Sequence, residues 1–236
     1  MKKTIIVMPV ANEGATMASV LDDILGLPYD NLFVYPVLDS YSKDNTQEIV
    51  EEYEQRTGRV KCIFHAQSRG VVSCYLYGFQ RALEDGAEQI IEMDGGGSHQ
   101  PSQIPQFIDK LEEGYDCVWG SRFCKGGELE QQTLYRKLLS KGGTLLSNLV
   151  LGTHYEDMTS GFEAFQANVL RAMNLNQFLS KGHMYQTEMR YYCRKKKTIE
   201  VPIRYIGGES SLKFKSVSEA LKVLFQLKKH EAWVWK

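Results

Sequence analysis

One segment of this chain reads directly as chemistry: Ile90-Ile91-Glu92-Met93-Asp94-Gly95-Gly96-Gly97-Ser98-His99-Gln100-Pro101. A short apolar strand, Gln89 to Met93, runs into a carboxylate and then into consecutive glycines. Open α/β sheets bind ligands beyond the carboxyl ends of their strands, so Asp94 stands where a hard oxygen ligand is presented. The glycines let the backbone approach a bound molecule closely. The same string would also serve as a plain loop before a helix starting near Ser102, so it gains weight only beside other loops of the same kind. His99 adds an imidazole, but no second histidine stands at ligand spacing, which favours a structural hydrogen bond.

Two earlier loops are of that kind. Pro9-Val10-Ala11-Asn12-Glu13-Gly14 follows the first apolar run. It contains neither GxGxxG nor GxxxxGK[ST], which disfavours a dinucleotide site and a P-loop. It also lacks the Gly-rich, Arg-containing loop of sugar nucleotidyltransferases. The second apolar run ends in Leu38-Asp39, followed by Ser40-Tyr41-Ser42-Lys43-Asp44-Asn45-Thr46. Asp39 can accept hydrogen bonds from a base N–H or a ribose hydroxyl. Asp44 or Ser42 is assigned to capping the next helix.

These loops need strands and helices to hold them. Strands are expected at Thr4–Val10, Leu32–Leu38, Val60–Phe64, Gln89–Met93 and Asp116–Trp119. Helices are expected near Thr16–Leu27, Asn45–Arg56, Val71–Glu84 and Gln103–Glu113. Such alternation argues for βαβ units and a mostly parallel sheet with right-handed crossovers. The pattern loosens after Phe123. A helix from Leu134 to Leu151, interrupted at Gly142-Gly143, is followed by a strand at Gly161–Gln166 and a helix near His183–Arg194. A strand at Thr198–Ile203, a loop at Gly207–Ser211 and a last helix at Ser216–Lys229 complete the chain. There is no repeat or linker. The expectation is one domain over 1–236, with a nucleotide-binding half, 1–123, and an acceptor-binding half, 124–236.

Composition narrows the class. The chain has 236 residues, 43% of them hydrophobic, enough for a sizeable core. With 28 basic and 29 acidic residues the net charge is -1, giving no general drive toward nucleic acid. The five cysteines are odd in number and lack CxxC spacing, which fits unpaired thiols in a reducing cytosol. The apolar run after Lys2-Lys3 is shorter than a secretory signal, and no run suffices for a membrane span. The protein is expected to be soluble or peripheral on the cytoplasmic membrane face.

The motifs together resemble the inverting family 2 glycosyltransferases, most closely the dolichol- or polyprenyl-phosphate sugar synthases. Pro9, Asn12 and Glu13 match the opening P-x-x-N-E. Asp39 to Thr46 is similar to D-D-G-S-x-D-G-T. Arg69-Gly70, with Gly78 and Ala82, resembles the helix start that follows. Asp94 to Pro101 lies at the DxD-type element. Gly120-Ser121-Arg122 resembles G-S-R, Asp157 to Phe162 resembles D-x-T-S-G-F, and Glu200 to Ile203 resembles E-V-P-I. The resemblance implies a GT-A fold, a Rossmann-like α/β nucleotide-sugar fold with a mostly parallel central sheet flanked by helices. It implies a nucleoside-diphosphate sugar held by Pro9, Asn12, Glu13, Asp39, Arg69, Gly70, Asp94, Gly95 and Lys213. It further implies Mg²⁺ or Mn²⁺ on Asp94, and an acceptor met by Arg122, Arg136, Ser160 and Glu188, with Asp94, Arg122 and Asp157 as catalytic residues.

The departures bear on the metal and the diphosphate. Ser40 replaces one acid of D-D-G-S, and Gly96 replaces the second acid of DxD. Asp94 is left as the sole carboxylate there, so an aspartate at position 96 would be expected to rebuild the pair. Glu163 stands where many relatives have Arg. Ser211 and Lys213 take the place of a Ser-Lys pair that grasps the diphosphate.

The implied reaction is attack on an anomeric carbon through an oxocarbenium-like transition state. A hydroxyl acceptor would need a base, with Asp157 and Glu188 as candidates. A lipid phosphate is already largely ionised at neutral pH and needs cationic clamps instead. The acceptor is therefore expected to be a polyprenyl phosphate, with a glycan hydroxyl as the alternative. A nucleotide-sugar-binding protein without catalysis of its own is the third reading. The Lys-rich last helix with Trp233 and Trp235 is expected to meet a membrane surface or a membrane-protein partner.

Overall fold

The computed structural model describes residues 2–68, 70–131, 133–182, 184–207 and 214–235. The first part alternates as expected: β1 (Thr4–Val10), α1 (Met17–Leu25), β2 (Leu32–Asp39), α2 (Thr46–Thr57), β3 (Ile63–His65), α3 (Val71–Glu84), β4 (Gln89–Glu92), α4 (Ile104–Glu112) and β5 (Cys117–Ser121). The second part adds β6 (Glu128–Glu130), α5 (Leu134–Leu151), β7 (Glu163–Gln166), α6 (Ala167–Arg171), α7 (Tyr185–Cys193), β8 (Thr198–Pro202), β9 (Arg204–Ile206) and α8 (Phe214–His230).

Seven strands form one sheet in the order β3-β2-β1-β4-β7-β5-β8. β7 runs antiparallel to both its neighbours, β4 and β5, while the other pairings are parallel. β1 shows why the sheet lies in the middle. Ile5 and Val7 enter one core with Tyr75 and Phe79 of α3 and Met189 of α7. Ile6, Met8 and Val10 enter the other with Leu21 of α1 and Phe107 of α4. Alternate residues of one strand thus bury on opposite faces, and helices cover both. Gly78 lets α3 lie close to the sheet, since a Cβ there would meet Val7 Cγ1 at 2.4 Å.

The structure differs from expectation in four places. Val60 makes only an isolated bridge to Val34, and β3 is short. α5 runs unbroken through Gly142-Gly143, which face open space, so their helix penalty of about 1 kcal/mol each is borne locally. Thr133 caps its start by accepting from the Arg136 amide. The third difference is a small parallel pair, β6 and β9, outside the main sheet. Three-residue strands such as Glu128-Leu129-Glu130 are too short to show a period. The fourth is α6, a single turn directly after β7.

The sheet centre buries charge. Glu92 and Glu163 face each other across β4 and β7, and both are fully buried. Arg190 of α7 pairs with Glu163, and Tyr185 donates to Glu92 Oε2 at 3.1 Å. Burial pushes the Glu92 carboxyl well above the ordinary range, and the neighbouring Glu163 adds to this. Glu163 is pushed up to about 7 by burial, against the pull of Arg190. The one guanidinium pairs with Glu163, and burial beside that second acid biases Glu92 toward its protonated form.

A raised folded-state pKa means that the unfolded chain ionises first. Stability linked to Glu92 is full below about pH 4.3 and is lost as pH rises toward the folded value. Glu92→Gln should therefore gain on the wild type as pH rises above about 4.3 toward the folded value. Urea unfolding across that range checks this, and a constant difference would show that Glu92 is ionised in the fold.

Candidate nucleotide and acceptor site

The adjacent parallel strands β2, β1 and β4 end at one edge and deliver Asp39, the Pro9–Glu13 loop and Asp94 to a single cleft of about 310 Å³. Pro9, Glu13, Asp39, Asp94 and Gly95 all line it. Asp39 is the last residue of β2 and is mostly buried. Its Oδ1 accepts from the Tyr41 amide at 3.0 Å and from the Ser68 hydroxyl. Among the described residues its Oδ2 meets only the Cys74 thiol, at 3.9 Å.

Asn12 has another task. Its φ is 58°, its Oδ1 accepts from the Lys43 amide at 2.9 Å, and its own amide donates to Ser42 Oγ. Asp44 accepts from the Gly14 amide at 2.8 Å and from the Thr46 amide and hydroxyl. These bonds lower its pKa, the Thr46 hydroxyl contributing most. Asn12 and Asp44 thus tie the two loops together, whereas the sequence assigns Asp44 or Ser42 to capping α2 and the resemblance assigns Asn12 to the nucleotide sugar.

The glycines after Asp94 have distinct causes. A Cβ on Gly95 would meet Val10 Cγ1 at 2.5 Å, so the backbone must lie against the end of β1. Gly97 has φ 79°, which disfavours a side chain. A Cβ on Gly96 would meet both carboxylate oxygens of Glu13 at 3.1 Å. An aspartate at 96 would therefore face a carboxylate already there, which corrects the expectation that it simply restores the pair. Asp94 itself is held by Tyr75, whose hydroxyl donates to Oδ1 at 3.0 Å. Its amide donates to His99 Nδ1 at 3.0 Å. Burial keeps His99 neutral, its pKa lowered further by Arg122 against the pull of Asp94. With Nδ1 accepting, the proton lies on Nε2, so neither nitrogen offers a lone pair to a metal.

Arg122 directly follows β5. Its Nε and Nη2 bond Asp157 Oδ2 and Oδ1 at 2.7 and 2.8 Å, and its amide also reaches Oδ2. Nη2 further donates to Thr159 Oγ1 at 2.6 Å. Nη1 makes no bond among the described residues and is the nitrogen left for a ligand. Burial would raise the Asp157 carboxyl, but Arg122 outweighs it and holds it below the usual range. Asp157 therefore positions Arg122 and is not poised as a base. Tyr205 of β9 bridges to His99 and stacks on the Arg122 guanidinium at 5.6 Å. Burial and Asp94 raise the Tyr205 hydroxyl pKa, while Ser98, Arg122 and Arg136 lower it, which places Arg136 within electrostatic reach of this wall.

Glu188 is elsewhere. It is fully buried, with its oxygens accepting from the Leu179 and Ser180 amides, both at 2.8 Å, and from Tyr192. It shapes the chain before α7 and cannot act as a base on a bound acceptor. Ser160 is also buried, and its hydroxyl accepts from the Phe162 amide at 3.4 Å. Gly70 starts α3 with φ 98°, which only glycine adopts freely. Arg69 and Lys213 lie outside the described residues. Tyr75 and Tyr205 escape the sequence reading because each looks like an apolar core position of its element.

Among the described residues no group of three His, Cys, Asp or Glu side chains is arranged to hold a metal. The donors at hand are carboxylate oxygens, which suit Mg²⁺ or Mn²⁺ when substrate phosphates complete the shell. Asp94, 40% exposed, is the carboxylate best placed to receive one.

The buried pair gives a direct test. Removing one partner leaves an uncompensated buried charge, so Asp157→Ala should cost about 3–5 kcal/mol in urea unfolding. Because the folded Asp157 pKa is lowered, this stability is present above about pH 3.9 and is lost as pH falls through the folded value. The gap between variant and wild type should therefore narrow in acid. A gap independent of pH would assign the loss to packing.

The profile of glycosyl transferase family 2 matches residues 5–173. An undecaprenyl-phosphate mannosyltransferase of Micrococcus luteus is 33% identical over 190 residues, 78% of each chain. A polyprenol monophosphomannose synthase of Mycolicibacterium smegmatis is 26% identical over 96% of this chain and 86% of that protein. A dolichol-phosphate mannosyltransferase of Pyrococcus furiosus is 31% identical over 97% of this chain and 64% of that protein. Among solved structures, glucosyl-3-phosphoglycerate synthase of Mycobacterium tuberculosis, in complex with Mn²⁺, UDP-glucose and phosphoglyceric acid, superposes with TM-score 0.70 at 15% identity. That match covers 98% of this chain and 80% of that one. The strand-end acids, the glycine loop and the buried Arg122 pair thus sit on a shared fold and a shared sequence pattern, and this chain is a glycosyltransferase belonging to glycosyl transferase family 2.

Proposed function

We propose that the protein transfers a sugar, with inversion, from a nucleoside-diphosphate sugar to a polyprenyl-phosphate-type lipid at the cytoplasmic face of a membrane. The observation that carries the lipid reading is on α5. Leu134, Leu145 and Leu149 are 72%, 72% and 79% exposed and share one helix face with Leu138, while Arg136 in the first turn lies near the Arg122–Tyr205 wall. An exposed apolar stripe, with the exposed Lys137 and Lys141 beside it on the same helix, suits an amphiphilic acceptor resting at a membrane surface. A soluble glycan would need neither. Among the described residues no helix is long and apolar enough to cross a membrane. Trp235 is not part of this surface: it is half-buried, bridges to Met173 and lies under Lys196.

In this reading Asp39 accepts a hydrogen bond from the nucleoside. Asp94 would hold Mg²⁺ or Mn²⁺, which would supply positive charge to stabilise the leaving diphosphate. Arg122 and Arg136 orient the acceptor phosphate, Arg122 through its remaining nitrogen. The phosphate oxygen attacks the anomeric carbon as the bond to the diphosphate breaks. The two carboxylates considered as bases are both occupied: Asp157 by Arg122, Glu188 by backbone amides. A phosphate acceptor, with a second pKa near ~6, needs no base.

Transfer assays offering undecaprenyl phosphate or soluble glycans, with donor sugars on UDP and GDP, test the acceptor. Turnover only with the glycan would overturn the lipid reading. Asp39→Ala should weaken nucleotide binding by about 1–3 kcal/mol in calorimetry, and unchanged affinity in a folded variant would remove Asp39 from the site. Replacing Leu138, Leu145 and Leu149 together by serine should abolish flotation with anionic liposomes while leaving nucleotide binding intact. Undiminished flotation would move the contact away from α5.

A further inference from the structure

We propose that Glu13, delivered from the first loop, supplies the second carboxylate of the divalent-cation site, in the space that Gly96 leaves without a side chain. The inference rests on the metal reading above and concerns which residues of this chain complete the site.

The geometry is specific. A Cβ built on Gly96 would lie 3.1 Å from both Glu13 oxygens. The Glu13 carboxylate therefore stands directly over position 96, where a side chain of the second acid would begin. Its backbone is anchored: the amide donates to Thr46 Oγ1 at 2.8 Å, and the carbonyl accepts from the Thr16 and Met17 amides at the start of α1. The carboxylate is not comparably engaged. Its one hydrogen bond among the described residues comes from the Thr16 hydroxyl at a long 3.5 Å. No described Lys or Arg pairs with Glu13 or Asp94, although both line the same cleft.

Partly buried carboxylates gathered without a basic partner repel one another, and a cation answers that repulsion. Mg²⁺ and Mn²⁺ are commonly held by one or two carboxylates with substrate phosphates, the donor set that Asp94 and Glu13 would make with a diphosphate. The lost acid at position 96 is then no loss of function. One carboxylate has been exchanged for another that reaches the same place from a neighbouring strand end.

The exchange makes a reciprocal test possible. Gly96 does not have a positive φ, so its backbone accepts a side chain, and the flexible residue-13 side chain need give by only a few tenths of an ångström to admit a Cβ. Mn²⁺ binding is measured by electron paramagnetic resonance with UDP or GDP present, in wild type, Asp94→Asn, Glu13→Gln, Gly96→Asp and the double variant Glu13→Gln with Gly96→Asp. Thermal melts confirm folding, and calorimetry in EDTA gives the metal-free nucleotide affinity.

Glu13→Gln should weaken Mn²⁺ binding by about tenfold or more, a clearly larger factor than any loss of nucleotide affinity measured in EDTA. The double variant should recover to within about threefold of wild type, whereas Gly96→Asp alone should bring no gain, because two like charges then compete for one place. Wild type that binds no Mn²⁺ with either diphosphate overturns the metal reading and this inference together. Loss in Asp94→Asn without loss in Glu13→Gln overturns this inference alone. A folded double variant that fails to recover also overturns it, as does a Glu13→Gln loss that appears equally in EDTA.

Discussion

The buried pair of Arg122 and Asp157 is the constraint on which the site depends. It joins the end of β5 to the loop before β7, and so ties the loop that carries Thr159 to the central sheet. Two charges taken out of water hold together only with good geometry and further hydrogen bonds. Here the pair is bidentate, and Thr159 adds bonds to both members. This fixes one guanidinium edge and leaves the other for a ligand. A carboxylate that looks catalytic from its motif is thereby committed to orientation.

The same economy recurs beneath the cleft. Glu163 is answered by Arg190, Glu92 by Tyr185, and Asp94 by Tyr75, with the two tyrosine rings stacked at 5.9 Å. Asp94 thus stands above a buried polar layer, while its own carboxylate remains open to solvent. Such a layer resists rearrangement because each member would be costly to leave unpaired. The strand ends can then be rigid while the loops beyond them differ in sequence from the family pattern.

The loops are tied to one another as well as to their strands. Asn12, Ser42, Asp44 and Thr46 bond across from the first loop to the second, and Glu13 leans over the third. A substitution in one loop is therefore felt in its neighbour. Gly96 illustrates this: its meaning depends on Glu13, more than eighty residues away in the chain. On the outer side, α5 exposes Leu134, Leu138, Leu145 and Leu149, which its own packing does not need.

The sequence by itself determined the alternation of strands and helices, the parallel sheet and the placing of Asp39 and Asp94 at strand ends. These follow from local periodicity and from turn chemistry, which a linear pattern records. It also assigned capping to Asp44 or Ser42, and in the fold Asp44 bonds the Thr46 amide at the start of α2 and the Gly14 amide of the first loop. What only the tertiary structure decided is which polar groups are already paired. Asp157, Glu188, Asn12 and Ser160 carry suitable chemistry in the sequence but are engaged by Arg122, backbone amides or their own loops in the fold. The continuity of α5 through its glycines and the short β6–β9 pair were settled by packing and long-range hydrogen bonding. Pairing between residues distant along the chain leaves no periodic trace, so the availability of a side chain for chemistry is a property of the folded molecule.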